Sequence, residues 1–307
     1  MNQTFPRILM EKILKQVLEE IKPSKQEQAR VNTLSKSVLS KIKIKDTKPV
    51  LGGSGAKGTW LHSSHDIDIY VKFNKKKYEN KNISDILGKH LKKNFKVSRL
   101  HGSRDYFQIE KQGFTIEIVP ILEIKNSSQA KNTTDVSQIH VNYVKKNSNE
   151  KLRDQIRLVK AFCKAQNVYG AESYIKGFSG YVLEILTIKY GSFKNFLKHA
   201  SKWKSKEFIG NKQDLKKLNK SKKQNPLILI DPVQSNRNVA AALSKEKYNI
   251  LIKSSKQFLK KPSKNLFKKK QFNIEDLKKK HKKLIVLKVT PLKRKEDVAG
   301  AKLVKCL

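Results

Sequence analysis

The sequence predicts an α+β protein. Strand-type alternation is concentrated between Pro49 and Val119, and helix-type periodicity takes over from Glu150. A lysine-rich end then carries one more strand pattern. These stretches divide the chain into a strand-and-helix head (residues 1–135), a helical middle (136–262) and the start of a small α/β tail (263–307).

The head opens with two helix patterns. Leu9, Ile13, Leu14, Val17, Leu18 and Ile21 recur at helical spacing, and Ser24 with Glu27 reads as a capping box opening a second helix with Val31, Leu34 and Val38 inward. Both are expected to be scaffold. The stretch that organises the rest is Leu51 to Phe73: a glycine-rich turn, Gly52-Gly53-Ser54-Gly55, follows Pro49-Val50-Leu51 and precedes an alternating strand opened by Asp66-Ile67-Asp68. With Ile67, Ile69, Val71 and Phe73 on one face, Asp66, Asp68 and Tyr70 share the other. Two carboxylates two residues apart on one strand face can grip a hard divalent cation. A glycine-serine turn offers backbone N–H groups and a hydroxyl to phosphate oxygens. Together they point to magnesium-dependent handling of a nucleoside triphosphate.

Ser84 is expected to cap a helix through Leu87 and Leu91, followed by strands over 95–100, 106–110 and 114–119. In the last of these Glu117 alternates with Phe114, Ile116 and Ile118, which makes it the candidate third carboxylate of a two-metal site. Beyond Glu150, Leu152, Ile156, Val159, Phe162 and Cys163 form one helical stripe, and Arg153, Arg157, Lys160 and Lys164 are expected on a solvated basic face. An apolar run from Val182 to Tyr190 reads as a buried helix, 211–225 as a polar loop, and Leu227 to Ile230 as a buried strand ending at Asp231-Pro232. Ser235-Asn236-Arg237-Asn238 is expected to start a helix through Val239 and Leu243, and Leu284 to Val289 to form a final strand. His62 and His65 read as ordinary loop histidines.

Composition narrows the partners. With 68 Lys and Arg against 26 Asp and Glu, the net charge of +42 attracts polyanions, phosphate backbones first. Only eight of those cations are arginine, a lysine bias that an AT-rich genome also produces. Cys163 and Cys306 lie far apart without metal-ligand spacing, which argues against a disulfide scaffold or zinc site and fits a reducing cytosol. No apolar run approaches the roughly 18 residues of a membrane span, and no signal-peptide core opens the chain. A soluble, cytoplasmic protein without membrane partners is the expectation.

The glycine turn followed by the Asp66/Asp68 strand resembles the nucleotidyltransferase superfamily of DNA polymerase β and the poly(A) and CCA-adding enzymes. Gly53-Ser54-x-Ala56-Lys57-Gly58-Thr59-Trp60-Leu61 leading to Asp66-Ile67-Asp68 is similar, more narrowly, to the signature of archaeal CCA-adding enzymes. So are Val168-Tyr169-Gly170-Ala171-Glu172, Gly177-Phe178-Ser179-Gly180-Tyr181, and Asp231-Pro232-Val233 with Arg237-Asn238-Val239-Ala240, all in family order. The resemblance implies a polymerase-β-like head with a mixed sheet and flanking helices, a helical central domain that completes the nucleotide and tRNA 3′-end site, and an RNA-binding tail. It implies template-independent addition of C, C and A to the 3′ end of tRNA, at the acceptor stem, from CTP and ATP.

On that resemblance Asp66, Asp68 and Glu117 bind two Mg2+ ions and carry catalysis. Gly53, Ser54, Lys57, Ser137, His140, Lys160 and Tyr169 hold the triphosphate and sugar, and Arg237 reads the base. C and A both present an exocyclic amine on the pairing edge, which an acceptor held in place by arginine favours. Glu117 and Lys57 depart from the family's usual Asp and Arg; the first adds a methylene, the second replaces a forked donor with a point charge.

Family members continue into a longer tail, so either a second chain supplying the missing tail or a reduced enzyme gripping RNA through its lysines is expected. A homodimer is a further expected assembly. Competing functions are another polymerase-β-like RNA nucleotidyltransferase of the poly(A) type, a small-molecule nucleotidyltransferase, or an RNA-binding fragment active only with a second chain. The Tyr169 and Arg237 segments weigh against the first two, and the carboxylate set against the last.

Overall fold

The computed structural model describes residues 4–269 and the isolated positions 275, 278, 279 and 285. Apart from the single positions 275 and 285, the expected final strand from Leu284 to Val289 and the stretch from Phe272 to Asp276 lie outside the described residues.

Helix α1 (Thr4–Ile21) is followed by α2 (Lys25–Leu39), which the Ser24–Glu27 capping box opens with both reciprocal hydrogen bonds formed, at 3.1 and 2.9 Å. β1 (Thr47–Leu51) runs into a short helix α3 (Gly53–Lys57), so the glycine-rich turn forms a turn and a half of helix closed by the left-handed Gly58. β2 (Asp66–Asn74) has the expected alternation, with Ile67, Ile69, Val71 and Phe73 buried. After α4 (Lys75–Tyr78) comes α5 (Ile83–Lys92), whose cap is Asn82 and not Ser84; Asn82 accepts from the Asp85 N–H, while Ser84 is buried inside the first turn and bonds the Asp105 carbonyl. Two neighbouring cap-type residues competed for one helix start, and the one preceding Ile83 won.

β3 (Ser98–Leu100), β4 (Tyr106–Lys111) and β5 (Phe114–Glu123) complete a five-stranded mixed sheet of order β1-β2-β5-β4-β3, in which only β2 and β5 are parallel. One face of this sheet, with Ile69, Phe73, Phe107 and Ile116, packs on Val38 of α2 and Leu87 and Leu91 of α5. The opposite face keeps Asp66, Asp68, Tyr70 and Glu117 and is left for chemistry. Mixed sheet and flanking helices together are the architecture expected of the head.

The rest is mostly helical: α6 (Ser137–Lys146), α7 (Glu150–Ala165), α8 (Gly180–Tyr190, capped by Ser179) and α9 (Phe193–Ala200). β6 (Glu207–Ile209), β7 (Leu227–Asp231) and β8 (Gln234–Asn238) make a small second sheet, and α11 (Lys245–Lys260) returns against α9. Between β6 and β7 the expected polar loop contains helix α10 (Lys212–Lys217), with Asn211 as its cap. Phe162 of α7 sits edge-on to Phe193, Phe258 and Phe267 at 5.6–5.8 Å between ring centres, the centre of a second core that also takes Met10, Ile13 and Val17 of α1. Helix α1 therefore docks on the helical core, whereas α2 covers the sheet.

Two expectations are corrected here. Ser235 to Asn238 is a strand, β8, not the start of a helix: the chain reverses after Asp231 and pairs back on β7, and the next helix, α11, starts at Lys245 with Ser244 as its cap. A polar edge strand has no apolar alternation to betray it, and Asn238 is held there by accepting from the Leu229 and Ala240 N–H groups at 3.0 Å. On α7, Arg157 and Lys160 are buried, each 3% exposed, and not on a solvated face. Their partners are described next.

Candidate active site

Three adjacent strands present one row of polar side chains. Asp68 of β2 stands opposite Glu117 of β5 in register, and Glu117 stands opposite Gln108 of β4, whose amide donates to it at 2.8 Å. Asp66 is two residues before Asp68, exposed at the strand's start. The glycine turn closes down on this row. Gly53 has φ +51°, and a β-carbon there would lie 1.6 Å from Asp68 Oδ2. Tyr70 props the turn from below: its hydroxyl accepts from the Gly53 N–H at 3.3 Å, and a β-carbon at Gly52 would meet its ring at 2.8 Å. Ser54 lies on α3 one residue beyond Gly53.

The row is electrostatically crowded. Burial first, then the neighbouring Glu117 and Asp66, push the Asp68 carboxyl up to about 6, against the pull of Lys57 and Lys160. Glu117 is raised as well, by burial and by Asp66, with the Gln108 bond opposing. Among the described residues no three His, Cys, Asp or Glu side chains are gathered closely enough to form a preassembled ligand set. The donor chemistry nevertheless fits a hard cation: oxygen-only, anionic, and mutually repelling until a positive charge joins them. Nucleotidyltransferase folds of this type generally use divalent metals.

A second group lies on the helical side. Lys57, the last residue of α3, reaches Glu184 Oε2 of α8 at 2.8 Å; Lys160 of α7 reaches Glu184 Oε1 at 2.7 Å and Thr59 Oγ1 at 3.0 Å; Thr59 itself donates to Glu184 at 2.6 Å. Burial alone would raise the Glu184 carboxyl, yet Lys160 and Lys57 hold it down to about 2. Arg157 extends the clasp by donating to the Trp60 carbonyl at 3.2 Å and the Gly58 carbonyl at 2.6 Å. Tyr169, in the bridge to Phe178, has its ring 5.1 Å from the Lys164 ammonium, and its hydroxyl approaches Gly180 beside Lys160.

A third group starts at α6. Ser137 faces the Tyr70 hydroxyl, and His140, one turn on, stacks on Tyr181 at 4.0 Å between ring centres. Tyr181 is also 5.4 Å from the Lys57 ammonium, which joins this group to the previous one. Asp231, buried at the end of β7, collects His140 Nε2 (3.2 Å), the Tyr181 hydroxyl (3.2 Å), the Val233 N–H (3.0 Å) and Arg237 (3.0 Å). Burial opposes its charge, but the His140 hydrogen bond and the Arg237 cation keep its carboxyl below the ordinary range. Burial is also the main reason that His140 is lowered from the usual imidazole range, against the opposing hydrogen bond to Asp231.

The structure thus brings Gly53, Ser54, Lys57, Asp66, Asp68, Glu117, Ser137, His140, Lys160, Tyr169 and Arg237 around one region where head and helical middle meet. Glu184, Gln108 and Thr59 were not singled out from sequence. A signal existed for Glu184: a lone carboxylate inside the apolar run from Val182 to Tyr190 must either face solvent or find a cation.

Fold and site define a polymerase-β-like nucleotidyltransferase. Residues 154–268 match the family model "tRNA nucleotidyltransferase, second domain", and residues 9–154 match "Second Messenger Oligonucleotide or Dinucleotide Synthetase domain". The CCA-adding enzyme of Pyrococcus abyssi is 32% identical over 94% of this chain and 69% of its own length, and that of Thermococcus gammatolerans is 32% identical over 94% and 68%. That of Nanoarchaeum equitans is 48% identical over 68% of this chain and 54% of its own length. The chain belongs to the CCA-adding enzyme family. It spans between about half and two thirds of several of these curated relatives, 54% for Nanoarchaeum equitans and 64% for Methanocaldococcus jannaschii. Among solved structures, a cytoplasmic RNA terminal U-transferase aligns over 88% of this chain and 100% of its own at TM-score 0.67 and 15% identity. An E. coli CdnC structure with ATP aligns over 84% and 94% at 0.60 and 16%. These two share the fold.

Proposed function

We propose that this chain adds C, C and A to the 3′ end of tRNA from CTP and ATP, without a template and with release of pyrophosphate. The observation that carries this reading is the alignment over 94% of the chain with the Pyrococcus abyssi relative, whose name states that activity. The net charge of +42 supports a polyanionic partner, and no helix among the described residues is long and apolar enough to cross a membrane.

In this reading Asp66, Asp68 and Glu117 hold two Mg2+ ions, which when bound neutralise phosphate charge and activate the RNA 3′-hydroxyl. The protein's own contribution is placement. Gly53, its N–H held by the Tyr70 hydroxyl, lets the turn close beside Asp68, Ser54 offers a hydroxyl donor there, and Lys57 supplies a cation at the end of the same turn. Ser137, Lys160 and Tyr169 border the triphosphate and sugar. On the base side, His140 and Tyr181 form a stacked aromatic wall, and Asp231 aims Arg237. Arginine only donates. The ring nitrogen on the pairing edge of C and A accepts, whereas that of U and G carries a hydrogen.

The test is incorporation by the purified chain, given tRNA lacking CCA, ending in C or ending in CC, each with one labelled nucleotide and magnesium. Stepwise C, C, then A with a stop is expected. Long homopolymer tracts would replace this reading with a poly(A)-type one.

A further inference from the structure

Glu184 is the carboxylate that the Lys57, Thr59 and Lys160 side chains share, and its side chain is 1% exposed. Its helix is otherwise apolar there, with Val182, Leu183, Ile185 and Leu186 buried, so packing does not call for a carboxylate. The two lysines it joins are not equivalent. The Lys160 ammonium has three N–H donors and three acceptors around it, Glu184 Oε1 (2.7 Å), Thr59 Oγ1 (3.0 Å) and the Thr59 carbonyl (3.3 Å). Lys57 meets Glu184 Oε2 as its acceptor among the described residues, and its ammonium otherwise faces the Tyr181 ring. Lys160 is therefore spent on anchoring, while Lys57 keeps donors to offer. Two ammonium groups and one carboxylate leave one net positive charge, at the end of the turn that closes on Asp68.

We infer that Glu184 is a positioning residue for triphosphate binding: it fixes the Lys57 ammonium at the edge of the glycine turn and acts through Lys57 without touching the nucleotide. The inference rests on the nucleotidyl-transfer reading above and adds to it a residue from the opposite half of the chain. Without the carboxylate, two buried like charges face each other, and the long, flexible Lys57 stem has nothing to hold its end. With it, Lys57, Thr59 and Lys160 share one fixed acceptor. The turn after α3 is then locked to α7 and α8, with Arg157 gripping Gly58 and Trp60 alongside.

The experiment compares the full chain with Glu184→Gln, Glu184→Asp, Lys57→Met and the Lys57→Met/Glu184→Gln double variant. Calorimetry measures affinity for ATP, inorganic triphosphate and adenosine, with thermal denaturation run on each protein. Glu184→Gln is expected to weaken ATP and triphosphate by roughly tenfold to a hundredfold, the range of a charge-assisted hydrogen bond, and to leave adenosine unchanged. In the Lys57→Met background the same change should cost nothing further, a coupling that a general loss of stability would not produce. Glu184→Asp keeps the charge and the fold but withdraws the carboxylate by one methylene, so a folded protein with partial loss is expected even where Glu184→Gln does not fold. Wild-type affinity for triphosphate in Glu184→Gln or Glu184→Asp, or penalties at Lys57 and Glu184 that multiply, would overturn the inference. A wild-type chain that binds no triphosphate would overturn the nucleotidyl-transfer reading itself.

Discussion

Asp68 and Glu117 occupy the same register on adjacent parallel strands, and the glycine turn that closes over Asp68 does so at a residue where any β-carbon would overlap its carboxylate. Two like charges are thus packed side by side under a lid that only glycine can form. An arrangement of that kind weakens the fold locally and makes sense where a cation is to be gathered.

Asp68→Ala is expected to reduce nucleotide incorporation by at least roughly a thousandfold, the equivalent of several kcal/mol of lost charge stabilisation. On the proposed reading, binding of tRNA should persist, because the substitution leaves the strongly positive net charge in place. Thermal stability without magnesium should not fall, since the crowding of Asp66, Asp68 and Glu117 is relieved. Incorporation, filter binding and a thermal scan on the same preparation separate these outcomes. Retained incorporation would remove Asp68 from the site.

Gly53 and Gly113 give a matched pair of substitutions. Both have positive φ, +51° and +79°, so alanine costs about 1–2 kcal/mol of backbone strain at either. At Gly113, in the tight turn between β4 and β5, nothing lies within 4 Å of the added carbon. At Gly53 the carbon meets Asp68. Gly113→Ala is therefore expected to lower stability by about that strain with activity unchanged, and Gly53→Ala to lose activity as well. Denaturant titration and incorporation measured on both variants check the contrast; equal activities would show that the turn does not need to sit so close.

How much of this was legible in the sequence depends on which physics sets each position. Ile67, Ile69, Val71 and Phe73 announce β2 because a strand's period of two is written directly in the residues. Ser24 and Glu27 announce α2 because a cap is a local event. Asp66, Asp68 and Glu117 followed from the same alternation. The misreadings on α7 have another cause: the deciding partner is remote in sequence. Lys160 and Arg157 look like solvent cations until Glu184 and the carbonyls of Gly58 and Trp60 are brought beside them, whereas β8 lies only a two-residue turn from β7 and is hidden because its polar residues carry no apolar alternation. Residues 263–307 are expected to start a tail; of these, Leu266 and Phe267 join the helical core, and those beyond 269 lie, apart from isolated positions, outside the described residues.

The Glu184 pair has a pH signature. An unfolded glutamate titrates near 4.5, whereas Lys160 and Lys57 hold the folded one at about 2. The folded value is the lower one, so the stabilisation is complete above about 4.5 and is lost as pH falls toward 2. Wild type and Glu184→Gln should therefore differ most in melting temperature at neutral pH and converge as the pH is lowered through 4. A gap that stays constant from pH 6 to pH 3 would show that the carboxylate is not selectively stabilised in the fold.

Asp231 and Arg237 give the sharpest test of base selection. Asp231 receives four donors, and its charge fixes Arg237 beside the His140–Tyr181 stack. Asparagine at this position keeps the shape but removes the charge and turns one acceptor into a donor, so Arg237 loses its anchor while the carboxylate row is untouched. Arg237→Lys replaces the planar fork by a point charge. Both variants are expected to erode discrimination against UTP and GTP by roughly tenfold to a hundredfold, the worth of about 1–3 kcal/mol in a directed base contact. Incorporation of CTP and ATP should fall less than selectivity does. Single-nucleotide incorporation with all four triphosphates on tRNA ending before C and before A measures the ratio directly. A uniform loss with the ratio preserved would assign Arg237 to general nucleotide affinity and leave the choice of base to the RNA end.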